Sequence, residues 1–350
     1  MAVTDDGVVR DWGLSDAVFL KRTLIAIGLV ILAVILLVIA FKAVAVLLLI
    51  FLAILLAIFV RTLAAFVRGY SGWRFRWCML LVLGVILGLI TLGVLLLGPN
   101  AAIQISDVMQ QLPQVRDKLQ QYGWAGLVYH IPGMEQLLSG QLNIWNRLTE
   151  SFSFSNTFGP IISVGLVIVI GLYLAAAPGI YVDGAVSLCP PAARPECRRI
   201  LESMGETLKW WLLGQSLGML FIAITVSIGL RLLRMPLSIT LGIFAGLMAF
   251  IPNIGYFLSI APAILLAVIA SPFTAFWVLV LYTGAHWGND YVITPAVQRR
   301  TVHLPPGLTI SMQLLLGFLM GGIGLMIATP LVAVLLVLVK AVYTDRFPAK

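Results

Sequence analysis

Residues 235–289 contain no Asp, Glu, Lys or Arg, a run of fifty-five residues without a formal charge. Whatever this chain folds into must place that run in protein or in lipid. Ile251-Pro252-Asn253-Ile254-Gly255 interrupts it, and Pro, Asn and Gly are residues that end helices and make turns. The apolar pieces on either side, 237–250 and 254–270, are each shorter than the ~20 residues of an ordinary transmembrane helix. Together they suit a tight pair of half-helices. Irregular backbone at membrane depth is tolerated only where it is buried in protein or lines a wet cavity. The break is therefore a turn in a membrane hairpin, the wall of a path for something polar, or both.

Composition agrees with a membrane setting. Of 350 residues, 61% are hydrophobic and 10% charged, with a mean hydropathy of +1.06; a soluble domain carries about 25% charged residues. Apolar runs recur from end to end, so the chain reads as polytopic and α-helical. The net charge of +8 comes from basic clusters beside apolar runs, the pattern of cytoplasmic flanks, and needs no nucleic acid. Cys78, Cys189 and Cys197 have neither metal nor redox spacing, and with prolines between Cys189 and Cys197 no disulfide is expected. Asp5, Asp6, Asp11 and Asp16 precede Lys21-Arg22, unlike the basic start of a cleaved signal peptide, so the first apolar run reads as a retained anchor.

Two apolar runs, 24–41 and 43–60, are separated only by Lys42. One helix over both would be ~55 Å long at ~1.5 Å per residue, so two short spans with a turn at Lys42 are expected. Arg61, Arg68, Arg74 and Arg76 follow with no acid among them, the strongest cytoplasmic signal in the chain. A third span covers 77–97. Residues 98–159 form the one long polar region, with Ile105, Val108, Met109 and Leu112 near helical spacing and Tyr122, Trp124, Tyr129 and Trp145 beyond. Amphipathic helices on the membrane or on neighbouring chains, or a solvated connector, both fit this region. The next span is 160–177, ended by Pro178.

Residues 196–211 read as an amphipathic helix lying on the inner surface. Ile200, Leu201, Met204, Leu208 and Trp211 lie on one side, and Arg198, Arg199, Glu202, Glu206 and Lys209 on the other. It leads into a span at 212–230. After the broken run, 272–288 is a full crossing. The last apolar run, 308–339, is too long for one ordinary span and is interrupted by Gly321-Gly322-Ile323-Gly324 and by Pro330. The expected fold is thus all-α and polytopic, with about eight membrane helices including two broken, re-entrant helical hairpins, plus amphipathic interfacial helices. Its parts are N-terminal helices (1–97), an extracytoplasmic region (98–159), a span with a cytoplasmic helix (160–211) and a transporter core (212–345). With both hairpins returning to their starting side, sixteen of 22 Lys and Arg lie inside; with single crossings, fourteen do. The positive-inside rule favours the hairpins and places both termini in the cytoplasm.

No phosphate loop, dinucleotide fingerprint, zinc-protease motif or Ser-His-Asp arrangement is present, and His130, His286 and His303 are not at ligand spacing. No catalytic residue, metal site or cofactor is expected, and the chain does not read as an enzyme. Broken half-helices expose free N–H and C=O groups that can hold a polar solute or an ion. The expected path comprises Pro252, Asn253 and Gly255 at the first break, Tyr282, Asn289 and Asp290 at the end of the preceding span, and Gln313, Gly321 and Gly324 in the last run. Asp290 is the acid nearest the apolar core, a coupling-ion candidate or a partner for Arg299 or Arg300. Gly242, Gly246 and the glycines of the last run equally suit close helix packing.

The C-terminal part carries a series of short motifs in order: Leu213-Gly214-Gln215, Met235-Pro236, Ile251-Pro252-Asn253-Ile254-Gly255 with Pro262, Asp290-Tyr291-Val292-Ile293-Thr294-Pro295, Leu304-Pro305, Gly321-Gly322-Ile323-Gly324 and Ala328-Thr329-Pro330. Over roughly 205–340 this series resembles the autoinducer-2 exporter (PerM-like permease) family of bacterial inner-membrane proteins; residues 1–200 agree only in layout. The resemblance implies a homo-oligomer in the inner membrane, with a pentamer as one form, and export of small polar solutes such as the furanosyl signal autoinducer-2, hence a role in quorum sensing. Some members are described as sodium(potassium)/proton antiporters. With Asp290 the one acid near the shared core, a neutral polar solute is favoured over cation antiport. A rival of another class is a non-transporting membrane scaffold whose outer region and 196–211 helix bind partners.

Overall fold

The computed structural model describes residues 12–88, 91, 159–293, 295 and 304–344. The polar region at 98–158 and the loop residues Arg299, Arg300 and His303 lie outside the described residues. The chain divides into two compact units, Met1–Ile50 and Phe51–Lys350. Among the described residues every regular element is helical, so the chain is an all-α membrane protein.

The first helix, α1, runs Trp12–Ser71 and passes through Lys42 without a break. This corrects the turn expected at Lys42. Phe41, Ala43 and Val44 contain no helix breaker, and Lys is itself a good helix former. The placement of the N-terminus on the same side as the Arg61–Arg76 loop rested on that turn and loses its support. Gly72, at φ 67°, turns the chain after α1, and α2 follows at Phe75–Gly88. Ala57, Val60 and Ala64 of α1 are buried in one cluster with Cys78, Met79 and Val82 of α2 and with Ala175 of the next helix.

That helix, α3, spans Gly159–Ala176, and α4 spans Pro178–Ser187 after a bend of 86°. Proline at the first position of α4 has no N–H to continue the α3 ladder, which makes the bend. Pro190 and a 3-10 turn at Pro191–Ala193 then lead into α5, Arg194–Leu232. Two expectations are corrected here. Cys189 and Cys197 form a disulfide, because the proline turn reverses the chain and brings the first turn of α5 back beside Cys189. The amphipathic segment 196–211 is not a separate surface helix; it is the first part of one unbroken helix of 39 residues. An isolated Gly214 is too weak a breaker to divide it. The expected faces hold nonetheless, with Leu208 and Trp211 buried and Glu202 and Glu206 exposed.

Beyond α5 come α6 (Ser238–Met248), α7 (Ile254–Ala270) and α8 (Pro272–Gly288), a π turn at Asn289–Ile293, and α9 (Pro306–Val339). Ser271 caps α8 by accepting from the Thr274 amide at 3.1 Å. Ile222, Val226 and Leu230 of α5, Leu241 and Ala245 of α6, Ile260, Ala263 and Ala267 of α7, and Val278 and Tyr282 of α8 make one buried core. α6 lies directly on α5: a Cβ added at Gly242 would sit 1.9 Å from Ser227 Oγ, and one at Gly246 2.7 Å from the Met219 carbonyl.

α9 is folded back on itself. Gly321 has φ 61° and ψ −142°, a conformation that glycine alone adopts readily. Gln313 and Thr329, eight residues to either side, come within 3.4 Å of each other, whereas sixteen residues of straight helix would separate them by ~24 Å. Among the described residues three helical stretches are long and apolar enough to cross a membrane, Ala43–Ser71, Pro191–Leu232 and Pro306–Val342, with the bent α3–α4 pair as a fourth. Phe75–Gly88, Ser238–Met248 and Ile254–Val268 are shorter apolar helices. Large apolar side chains such as Leu232 (78% exposed), Phe273 (71%) and Phe318 (91%) point outward, as a lipid-facing surface requires.

Candidate functional site

The first break is built by local chemistry and held by distant side chains. α6 ends at Met248, and the backbone turns through Asn253, at φ 66° and ψ −50°, a positive φ that Asn tolerates better than most residues. Gly255 then passes so close to the end of α6 that an added Cβ would lie 1.9 Å from the Met248 carbonyl oxygen. The carbonyls freed at the break need partners. Gln215 of α5 donates its side-chain amide to the Ala249 carbonyl. Gln313 of α9, fully buried, donates Nε2 to the Pro252 carbonyl at 2.9 Å and to Thr329 Oγ1 at 3.4 Å. The second break repeats the device: Gly321 takes the positive φ, and a Cβ at Gly324 would lie 1.9 Å from the Leu316 carbonyl.

A cavity of about 440 Å³ opens beside the first break, walled by α5, the break itself, α7, α8 with its π turn, and both halves of α9. Its polar groups are Gln215, Asn253, Tyr256, Thr283, His286, Asn289, Asp290, Thr309 and Thr329, with Trp211, Trp287 and Ile222 among the larger apolar walls. Tyr256 OH and Thr283 Oγ1 are hydrogen-bonded at 3.1 Å, and the His286 ring stands edge-on to Tyr256 with centroids 4.8 Å apart. Asn289 Nδ2 donates to Asp290 Oδ1 at 3.2 Å, and Asp290 is exposed. The volume falls in the range of small-molecule sites.

Four buried polar atoms have no hydrogen-bond partner among the described residues: Tyr282 OH, His286 Nε2, Asn289 Oδ1 and Gln313 Oε1. Buried polar atoms are nearly always paired, and two of these four, on His286 and Asn289, belong to residues that line the cavity. Three of them belong to residues 282, 286 and 289, spaced i, i+4 and i+7 along one face of α8 and its continuation. No three His, Cys, Asp or Glu side chains come together as metal ligands among the described residues. The arrangement offers uncharged donors and acceptors and one carboxylate, which suits binding a polar solute.

Of the nine residues named from the sequence, Pro252, Asn253, Asn289 and Asp290 line the cavity. Tyr282 is buried one turn along α8 from His286, and Gln313 lies behind Pro252 and Thr329, bonded to both. Gly255 and Gly324 are packing points beneath the two breaks, and Gly321 is the turn of α9. Pairing of Asp290 with Arg299 or Arg300 concerns a loop outside the described residues. Sequence reasoning missed Tyr256, Thr283 and the cap from Gln215. Residues 256 and 283 are 27 apart and meet only through the α7–α8 packing, so no local signal joins them.

Comparison with known proteins covers nearly the whole chain. Residues 29–344 match the sequence profile described as AI-2E family transporter. YueF of Bacillus subtilis, provisionally named a transport protein, is 26% identical over 274 residues, 73% of this chain and 73% of its own. YrrI of the same organism is 22% identical, over 69% of this chain and 70% of its own, and sll0060 of Synechocystis sp. is 26% identical, over 78% and 83%; both carry the same provisional name. The matched stretch contains both breaks, the two glutamines that cap the first and the cavity beside it, and on that ground the chain belongs to the AI-2E transporter family.

Proposed function

We propose that this chain is a secondary transporter or facilitator that exports a small, uncharged polar solute, with autoinducer-2-like compounds as the substrate class, through the cavity beside the first break. The observation that carries this reading is the pair of unpartnered polar atoms on His286 and Asn289, two residues that line a cavity of about 440 Å³. A hydroxyl-rich solute would satisfy those atoms without bringing a charge that needs neutralising. The nine residues named from the sequence act in two groups. Pro252, Asn253, Asn289 and Asp290 contact the solute, and Tyr282, Gln313, Gly255, Gly321 and Gly324 hold the breaks in shape.

The broken elements are re-entrant hairpins of a protein of the bacterial inner membrane, with the Arg61–Arg76 loop facing the cytoplasm, and the protein works as a homo-oligomer. A second reading, sodium(potassium)/proton antiport, draws on one observation: Asp290, an exposed acid, lines the same cavity. Flux of candidate solutes and of sodium in proteoliposomes, with and without a pH gradient, separates the two. Solute flux that is saturable and persists without either ion gradient supports the first reading. Sodium flux strictly coupled to protons, with no solute flux, overturns it.

A further inference from the structure

A second cavity, of about 730 Å³, shares no lining residue with the first and lies between the end of α1, the start of α2 and the α3–α4 bend. Arg61 and Arg68, two turns apart on α1, line it together with Phe75 and Pro178. Arg61 is held in place. Its Nη1 donates to the Ala175 carbonyl at 3.1 Å, and its guanidinium lies 5.0 Å over the Phe75 ring. A guanidinium has five N–H donors, so most of its capacity is left for something else. Arg68 is exposed, and its guanidinium has no hydrogen bond or ion pair among the described residues.

Among the described residues no acid lines this cavity. None occurs in the sequence between Asp16 and Asp107, and Asp183, the acid of α4, is paired with Arg198. The N-terminal end of α4 at Pro178 and Gly179 adds partial positive charge to the same wall. Outside its wall, on the same helix ends, Phe66, Tyr70, Trp73 and Trp77 form an exposed aromatic collar, at 66%, 83%, 56% and 62% exposure. Exposed Trp and Tyr rings next to an apolar helix sit at the headgroup level of a bilayer. The aromatic collar fixes the depth, the arginines fix the sign, and Ala65, Phe75 and Ala176 supply an apolar wall beside them. We propose that this cavity holds the phosphate-bearing headgroup of an anionic phospholipid, bound by Arg61 and Arg68. A soluble anion would use the arginines and leave the aromatic collar unexplained.

The test is lipid titration of the purified full-length protein in detergent, read by native mass spectrometry and by the rise in Tm. The probes are phosphatidylglycerol, phosphatidylcholine and inorganic phosphate. Arg68→Gln, which removes no internal contact, is expected to weaken phosphatidylglycerol binding about fivefold. Arg61→Gln/Arg68→Gln is expected to reduce it to the phosphatidylcholine level. Arg231→Gln/Arg234→Gln, at the far end of α5, is expected to bind like the wild type. Undiminished binding by Arg68→Gln overturns the proposal, as does an equal loss in the Arg231/Arg234 variant, which would make the attraction a matter of charge anywhere. Equal binding of phosphatidylcholine overturns it too, and full displacement by millimolar inorganic phosphate would assign the cavity to a soluble anion instead.

Discussion

The side-chain amide of Gln313 reaches across from α9 to the carbonyl of Pro252, 2.9 Å away, so the second broken run holds the turn of the first. The two breaks are one construction, and a change in either is felt by both. Gln313→Leu removes one of two donors to the Pro252 carbonyl, which keeps the Ile254 amide at 2.8 Å, a loss of about 1–1.5 kcal/mol if nothing else changed. It also removes the buried, unpartnered Oε1 of Gln313 itself. The net loss is therefore expected near the lower end, about 1 kcal/mol, seen as a small fall in Tm with a much larger fall in solute flux. A variant with unchanged flux would show that the link between the breaks is decorative.

Gly255 and Gly324 are expected to be the least replaceable glycines of the core. A methyl group at either would meet a backbone oxygen at 1.9 Å, and backbone cannot swing aside as a side chain can. Gly255→Ala and Gly324→Ala are each expected to lower stability by about 1–3 kcal/mol or to prevent folding. Gly284, whose added Cβ would meet nothing within 4 Å, provides the matched control. Gly284→Ala should leave both Tm and expression at wild-type levels.

Asn253 allows the turn and the binding role of the break to be pulled apart. Its φ of 66° suits glycine better still, so Asn253→Gly is expected to fold with an unchanged Tm while losing the amide that faces the cavity. Asn253→Ala should be less stable by about 1–2 kcal/mol, from the left-handed backbone alone. If flux falls in the glycine variant at constant Tm, the side chain touches solute. Wild-type flux there would reduce Asn253 to a turn residue.

Asp290→Asn tests what the cavity carries. The substitution keeps shape and hydrogen bonding and removes the charge. Export of a neutral solute is expected to continue within about threefold of wild type, the scale of one altered exposed hydrogen bond. Loss of all flux together with loss of proton coupling would place a cation in the site.

Much of the C-terminal architecture could be read in advance because its signals are local. Ser271, Pro272 and Gly288 bracket α8 to the residue, and Pro252-Asn253 and Gly321 mark both breaks. What escaped was non-local or rested on an overvalued cue. A single charge at Lys42 does not end a helix whose neighbours all favour one. The Cys189–Cys197 pair depends on how Pro190 and Pro191 turn the chain, and spacing does not reveal that. The capping amides act over 34 and 61 residues of sequence. The site was legible as a region, while its walls from α5 and α7 required the packed structure.

The unbroken course of α5 has a mechanical meaning. Its N-terminal end is tied to α4 by the Arg198–Asp183 pair and to the preceding connector by the Cys189–Cys197 bond. Further along the same rod, Trp211 and Gln215 form part of the cavity wall, and Gln215 holds the Ala249 carbonyl. A rod without a hinge cannot absorb a tilt at one end; it delivers it to the other. Whatever pushes on the Arg194 end of α5 therefore works as a hand on a lever whose other arm is a wall of the cavity.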